Sequence, residues 1–179
     1  LEDELRRGVR ESGAAWGTAV AMDPQTGAVL AMANVPTYNP NQPGEASSAA
    51  RRNRAITDRF EPGSTFKLIG ATAAVDQGLV SMDDSVETGE GWAVFHGHTM
   101  KDVKAYGTIS FTEVLSKSSN VGMARTVNRH LDPGTFYQYA RNMGFSTPTW
   151  IDLPGEQEGV LPRPNTWSAT TMTSMAIGY

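Results

Sequence analysis

Between Glu61 and Asp76 the chain carries one charged residue, Lys67, at the head of the run Leu-Ile-Gly-Ala-Thr-Ala-Ala-Val75. That run is apolar or small on every side and predicts a helix buried all round. Lysine is almost never fully buried without a partner or a task. A dry site favours its neutral amine, and holding that amine uncharged at pH 7 costs about 4–5 kcal/mol, which the surroundings must supply. The competing reading is a lysine that snorkels from the helix start to water. Ser64 precedes Lys67 by three residues, about one helical turn on the same face. A neutral amine there could take the Ser64 hydroxyl proton, and a helix N-terminus would favour the negative charge that develops. Serine activated by a lysine base is one form of nucleophilic catalysis. Service as an ordinary N-cap is the commoner job for such a serine.

Spacing alone is weak evidence. Thirteen Ser and four Lys in 179 residues give about 0.3 chance matches to Ser-x-x-Lys, and thirteen Ser with eight Asn give about 0.6 matches to Ser-x-Asn. Ser118-Ser119-Asn120 is more informative for its place. Three short polar side chains fall between two helical stretches, where they can face a cleft instead of packing.

The elements that must position these residues follow from local signals. Leu1 to Ser12 is charged and predicts a short exposed helix. Trp16 to Met22 and Ala28 to Asn34 flank Asp23-Pro-Gln-Thr-Gly27 and predict a hairpin, with both faces covered because both runs are apolar throughout. Residues 35 to 50 are loop. Pro62-Gly63 opens and Gly78 closes the helix that carries Ser64 and Lys67. Residues 79 to 109 predict loop with short strands. Ser110-Phe-Thr-Glu113 is a capping box for a helix that breaks at Ser118-Ser-Asn120 and resumes from Val121 to about His130. Asp132-Pro133 starts another, ending at Gly144. Residues 145 to 164 predict strand and loop, and Asn165 or Thr166 caps a last helix ending at Gly178. Four tryptophans and eight methionines are expected in the core.

Composition bounds the rest. Of 179 residues 39% are hydrophobic and 19% charged, with a net charge of −4, which suits one globular domain and disfavours disorder. A pI near 5.3 without a basic stripe disfavours general nucleic-acid binding. No apolar run approaches the ~20 residues that span a bilayer. The lack of cysteine removes disulfides, zinc–thiolate sites and thiol nucleophiles.

Phe60-Glu-Pro-Gly-Ser-Thr-Phe-Lys67 followed by Ser118-Ser-Asn120 resembles the penicillin-binding protein family, specifically the transpeptidase domain of its class B enzymes. Further landmarks occur in order: Asp23 to Asn34, Tyr38-Asn-Pro-Asn41, Asn53-Arg-Ala55, Asp152-Leu-Pro-Gly-Glu156 and Ala176-Ile-Gly-Tyr179. Ser-Ser-Asn-Val121, with Arg54-Ala-Ile-Thr-Asp58 and Glu61-Pro-Gly63, is closest to the septal, cell-division branch. The resemblance implies an α+β, β-lactamase/transpeptidase-like fold, a central antiparallel sheet with a helical cluster. It makes residues 1–179 a partial transpeptidase domain that lacks its carboxy-terminal strands. It implies Ser64 as the nucleophile that attacks the penultimate D-alanine of a peptidoglycan stem peptide, and Lys67 as its base. Ser118 would relay a proton, and Asn120 would orient the lysine and bind the substrate amide, so Ser118 and Asn120 are also the substrate-binding residues. β-Lactams would acylate Ser64. No metal or cofactor is implied. The implied partners are a membrane glycan polymerase and division proteins, at the outer face of the cytoplasmic membrane.

The family's third motif, Lys-Thr/Ser-Gly, does not occur in these residues. Its strand supplies an oxyanion donor, and losing one such donor typically costs ~10²–10³ in rate. The expectation is therefore that this chain by itself is acylated weakly. The competing functions are D,D-carboxypeptidase or β-lactamase hydrolysis, a non-catalytic β-lactam sensor, and an inactive structural piece. Among other signals, His96-Gly-His98 with Asp102 lacks an evident third metal ligand. Glu156 and Glu158 predict a structural loop, Arg51-Arg-Asn-Arg54 a solvated basic surface, and Glu61 an exposed loop carboxylate.

Overall fold

Acidic residues in the first turn and arginines one turn later stabilise the opening segment as α1 (Glu2–Ser12), where Arg6 and Arg7 pair with Glu2, Asp3 and Glu4 and no residue is buried. The computed structural model describes all 179 residues, which divide into two compact units.

The first unit comprises Leu1–Arg59 and Trp150–Glu158. Its hairpin pairs β1 (Gly17–Met22) with β2 (Val29–Val35) in antiparallel register. The Asp23 carboxylate accepts the Gln25 N–H and folds the turn. The expectation of two covered faces is not met. Val20, Met22 and Leu30 are 43%, 55% and 70% exposed, because an apolar strand records what it can bury and not what its neighbours cover. Two short helices follow, α2 (Ser48–Arg51) and α3 (Arg54–Thr57). The basic cluster there is partly structural. Asn34 donates to Asn53 Oδ1 at 2.9 Å and accepts the Arg54 N–H at 2.9 Å. The Arg54 guanidinium lies 5.3 Å from the centre of the Trp16 ring. Glu156 and Glu158 lie in a loop without regular structure, as expected for a structural connection.

The second unit comprises Phe60–Thr149 and Gly159–Tyr179 and holds the hydrophobic core. A 3-10 turn (Gly63–Phe66) leads into α4 (Lys67–Asp76). The helix is buried along most of its surface, but Leu68, Thr72 and Val75 form an exposed stripe at i, i+4 and i+7, so it is not buried all round. Residues 79 to 110 form four short strands: β3 (Ser85–Gly89), β4 (Trp92–Phe95), β5 (His98–Lys101) and β6 (Gly107–Ser110). β3 pairs with β6 and β4 with β5, both antiparallel. The sheets are therefore two-stranded hairpins and ladders, and no larger central sheet is assembled by this chain.

The capping box forms as the sequence requires. Ser110 Oγ accepts the Glu113 N–H at 3.2 Å, and Glu113 accepts the Ser110 N–H at 3.1 Å, opening α5 (Phe111–Ser116). The helix breaks, and α6 (Asn120–His130) starts from an N-cap at Ser119. Asp132 caps α7 (Pro133–Asn142) through the Thr135 N–H. The carboxy-terminal segment departs from expectation. Residues 145 to 164 contain no strand, Pro164–Thr166 makes a 3-10 turn, and the last helix, α8 (Thr171–Met175), begins later than either an Asn165 or a Thr166 cap would place it. Nor are all the large residues core. Met123, Met172 and Met175 are buried, while Trp92 and Trp150 are 55% and 83% exposed.

Phe66 joins the nucleophile segment to this core. It meets Phe145 and Phe136 edge-on at 4.7 and 5.9 Å, and Phe136 meets Trp167 at 6.3 Å. α4 and α6 pack closely because Gly70 leaves room: a Cβ there would stand 2.6 Å from Val127.

Candidate active site

Ser64 lies inside the 3-10 turn and not at a helix cap. Pro62 holds the cap position of that turn, Phe66 that of α4, and neither end is closed by a side chain. The N-cap reading of Ser64 is therefore set aside. Ser64 is exposed, while Phe66 two residues on is buried. A 3-10 turn eclipses residues i and i+3, so it sets Ser64 and Lys67 on one side of the chain. The turn is seated by backbone: the Gly63 N–H donates to the Gly178 carbonyl at 3.2 Å. Both glycines have positive φ, and a Cβ on Gly178 would fall 2.0 Å from the Gly63 oxygen.

Lys67 does not snorkel. It is 2% exposed, and its amine points at the turn between α5 and α6. Nζ lies 2.6 Å from the Ser118 carbonyl, 2.9 Å from Ser118 Oγ and 2.7 Å from Asn120 Oδ1. Ser118 takes φ +53°, a left-handed conformation unusual for serine. Such backbone strain concentrates at functional sites, and here it lets one residue present both its carbonyl and its hydroxyl to the amine. The amide of Asn120 is oriented by its other end, since Nδ2 donates to the Lys101 carbonyl at 2.9 Å and leaves Oδ1 for Lys67.

The arrangement accommodates both protonation states of the amine. The Ser118 carbonyl and Asn120 Oδ1 can only accept, so they take two N–H bonds. In the ammonium the third proton goes to Ser118 Oγ. In the neutral amine the lone pair takes that place and can accept a proton. Burial pushes the Lys67 amine below the usual lysine range, and the Asp102 carboxylate works against that fall.

Asp102 is the residue that sequence reasoning missed. In the sequence it only follows His96 and His98, where no metal site is evident; in the structure its carboxylate meets the start of α6. Its Oδ2 accepts from Ser119 Oγ at 2.7 Å, and its Oδ1 accepts the N–H groups of Asn120 and Val121. Seventeen or more residues separate these partners, so no local signal reveals them.

Of the four residues singled out from the sequence, Lys67, Ser118 and Asn120 are in direct contact; Ser64, expected on the helix of Lys67, lies on the 3-10 turn that precedes it, and Asn120, expected in the break, opens α6. The model of the penicillin binding protein transpeptidase domain matches residues 17–179. The chain belongs to the penicillin-binding protein transpeptidase family. It is 38% identical over 175 residues to the probable peptidoglycan D,D-transpeptidase PbpC of Pseudomonas aeruginosa, covering 98% of this chain and 31% of that protein. It is 39% identical over 176 residues to the peptidoglycan D,D-transpeptidase FtsI of Escherichia coli K12, covering 98% of this chain and 29% of the relative. Among solved structures it superposes on penicillin binding protein 3 of Mycobacterium tuberculosis complexed with aztreonam, with a TM-score of 0.89 and 34% identity, over 99% of this chain and 40% of that one. These penicillin-binding relatives fix the α+β transpeptidase fold, and the chain spans about three tenths of the length of the two curated relatives.

Proposed function

We propose that these residues are the nucleophile-bearing part of a serine-type peptidoglycan D,D-transpeptidase. Ser64 Oγ attacks the carbonyl of the penultimate D-alanine of a stem peptide. Lys67 takes the hydroxyl proton, and Ser118 passes a proton to the leaving nitrogen as the C–N bond breaks and D-alanine departs. Asn120 holds Lys67 and hydrogen-bonds the substrate amide. An amine from a second stem then attacks the acyl-enzyme, forming the cross-link and freeing Ser64. β-Lactams acylate the same oxygen. The Lys67 amine carries this reading. It is buried, it makes three contacts with Ser118 and Asn120, and it is shifted toward neutrality by burial, as a general base must be.

Transpeptidation outweighs hydrolysis because the named relatives are D,D-transpeptidases. The similarity to FtsI supports a septal role, at the outer face of the cytoplasmic membrane and beside a glycan polymerase and division proteins. No helix of this chain is long and apolar enough to cross a membrane. The test is stoichiometric labelling of the full-length gene product by a fluorescent penicillin. Labelling is expected to vanish in Ser64→Ala and to slow by ~10³-fold or more in Lys67→Ala. Normal labelling of either variant would overturn the proposal. The 179 residues alone, without a Lys-Thr/Ser-Gly motif, are expected to label ~10²–10³-fold more slowly than the full-length product.

A further inference from the structure

We infer that Asp102 is a positioning residue for acylation: one carboxylate ties the end of β5 to the N-terminus of α6 and thereby fixes the side chains that hold the Lys67 amine. The inference rests on Lys67 being the base proposed above.

The tie has three bonds on one carboxylate, to Ser119 Oγ, the Asn120 N–H and the Val121 N–H. Ser119 is 1% exposed and in turn accepts the Gly122 N–H at 2.9 Å, so the first turn of α6 is closed by a chain of bonds that ends at Asp102. A negative group at a helix N-terminus is favoured by the helix dipole as well as by those N–H bonds. The neighbouring residue adds a fourth bond, because the Lys101 carbonyl accepts Asn120 Nδ2. Asn120 is therefore gripped at its backbone by Asp102 and at its side chain by Lys101, and its free oxygen meets Lys67.

The approach of this segment is built in. The Asp102 N–H donates to the Gly91 carbonyl at 2.8 Å. Gly91 has φ +79°, and a Cβ on it would stand 2.6 Å from the Lys104 carbonyl oxygen. Only glycine lets residues 102 to 105 fold this tightly against the start of the β4–β5 hairpin.

The carboxylate also acts on the amine through its charge. The elements around Lys67 bring several charged groups. Glu61 stands exposed before the nucleophile turn. Lys117, after α5, is tied to Glu113. Arg125, on α6, faces Glu87. Lys101 ends β5, Lys104 lies over the Tyr106 ring, and on α7 Tyr139 bonds Asp76 while Arg141 bonds the Ser146 carbonyl. Asp102 is the charge that bears on Lys67, and it favours the protonated amine. Removing the charge must lower the amine's proton affinity. Merely loosening the site would admit water and raise it. The two mechanisms therefore move the pH dependence in opposite directions.

The experiment is the pH profile of the acylation rate with a fluorescent penicillin, in the full-length gene product, for Asp102→Asn and Asp102→Glu, with Ser64→Ala as control. Asn at 102 keeps the shape and an acceptor for the α6 N–H groups but loses the charge. We expect a plateau rate roughly ten- to a hundred-fold lower, with the rising limb moved to lower pH. Asp102→Glu keeps the charge but displaces it, and should lower the plateau while leaving the limb near its original pH. A plateau unchanged in Asp102→Asn, or a limb that stays in place or moves to higher pH, overturns the inference. If Asp102→Asn does not fold, Asp102→Glu decides: a lowered plateau with an unmoved limb supports the inference, and any other result overturns it. Labelling that persists in Ser64→Ala defeats the proposed function itself. A blank control with an unshifted Asp102→Asn profile defeats only the role of Asp102.

Discussion

Each compact unit contains a basic residue tied to an asparagine-centred polar network, by its backbone in the first unit and by its side chain in the second, and the two networks differ in what they can do. In the first unit, Asn34 and Asn53 bond each other and the Arg54 backbone, while the Arg54 guanidinium lies over Trp16 and donates to the Ala49 carbonyl. Its Nε is buried without a partner. In the second unit, the Lys67 amine has three partners and a carboxylate beyond them. Arginine cannot be deprotonated in a protein, so the first network can only hold chain together. Lysine can lose its proton when buried, so the second can hold chain together and also move a proton. The lesson is that burial of a cation signals catalysis only where its neutral form is accessible and its partners accept either state.

The comparison can be broken most directly by exchanging the networks' losses. Lys67→Ala should reduce acylation of the full-length product ~10³-fold or more, whereas Arg54→Ala should leave the acylation rate within a few-fold. Equal losses in a labelling time course would erase the distinction. Asn120→Asp should come next, slowing acylation at neutral pH ~10²-fold. A new carboxylate 2.7 Å from Nζ stabilises the ammonium, so the rising limb should move to higher pH, opposite to the shift expected for Asp102→Asn.

The pH dependence of the parent sharpens the same point. Because Lys67 binds its proton less tightly in the folded chain than in the unfolded one, its acylation limb should fall below the ordinary lysine value of 10.5. Linkage has a definite sign here. Between the lowered folded value and 10.5 the unfolded chain binds more protons, so the contribution of Lys67 to stability rises with pH across that window and is least favourable below it. Denaturant melts at several pH values would show it, as a rise in the parent that Lys67→Ala lacks.

Smaller effects fall on stability alone. Arg54→Ala should cost about 1–2 kcal/mol by loss of the ring contact and one hydrogen bond. Ser110→Ala should cost about 1 kcal/mol by loss of the α5 capping box, with labelling per folded molecule unchanged in both.

The helical elements that carry the site were legible because their signals are local. The Ser110–Glu113 box, the Asp132-Pro133 start and the break at Ser118-Ser-Asn120 each act within four residues, and all three are realised. The carboxy-terminal segment was not legible. Asn165 and Thr166 satisfied start signals for a helix, but both lie in a 3-10 turn. The covered hairpin was misread for a related reason, since Val20 and Leu30 report affinity for a core and not its presence.

Sequence alone determined the chemistry available: a solitary lysine three residues after a serine, a polar Ser-Ser-Asn turn, and no thiol. Tertiary structure decided which of the possible uses is realised. Packing of α4 against α6 aimed Lys67 inward and away from water, and the strained Ser118 gave it two oxygens. The β4–β5 hairpin then delivered Asp102 across seventeen or more residues of chain to the helix that bears Asn120. Local spacing can encode a hydroxyl and an amine on one face. The proton affinity of that amine depends on the burial and charge that distant segments supply.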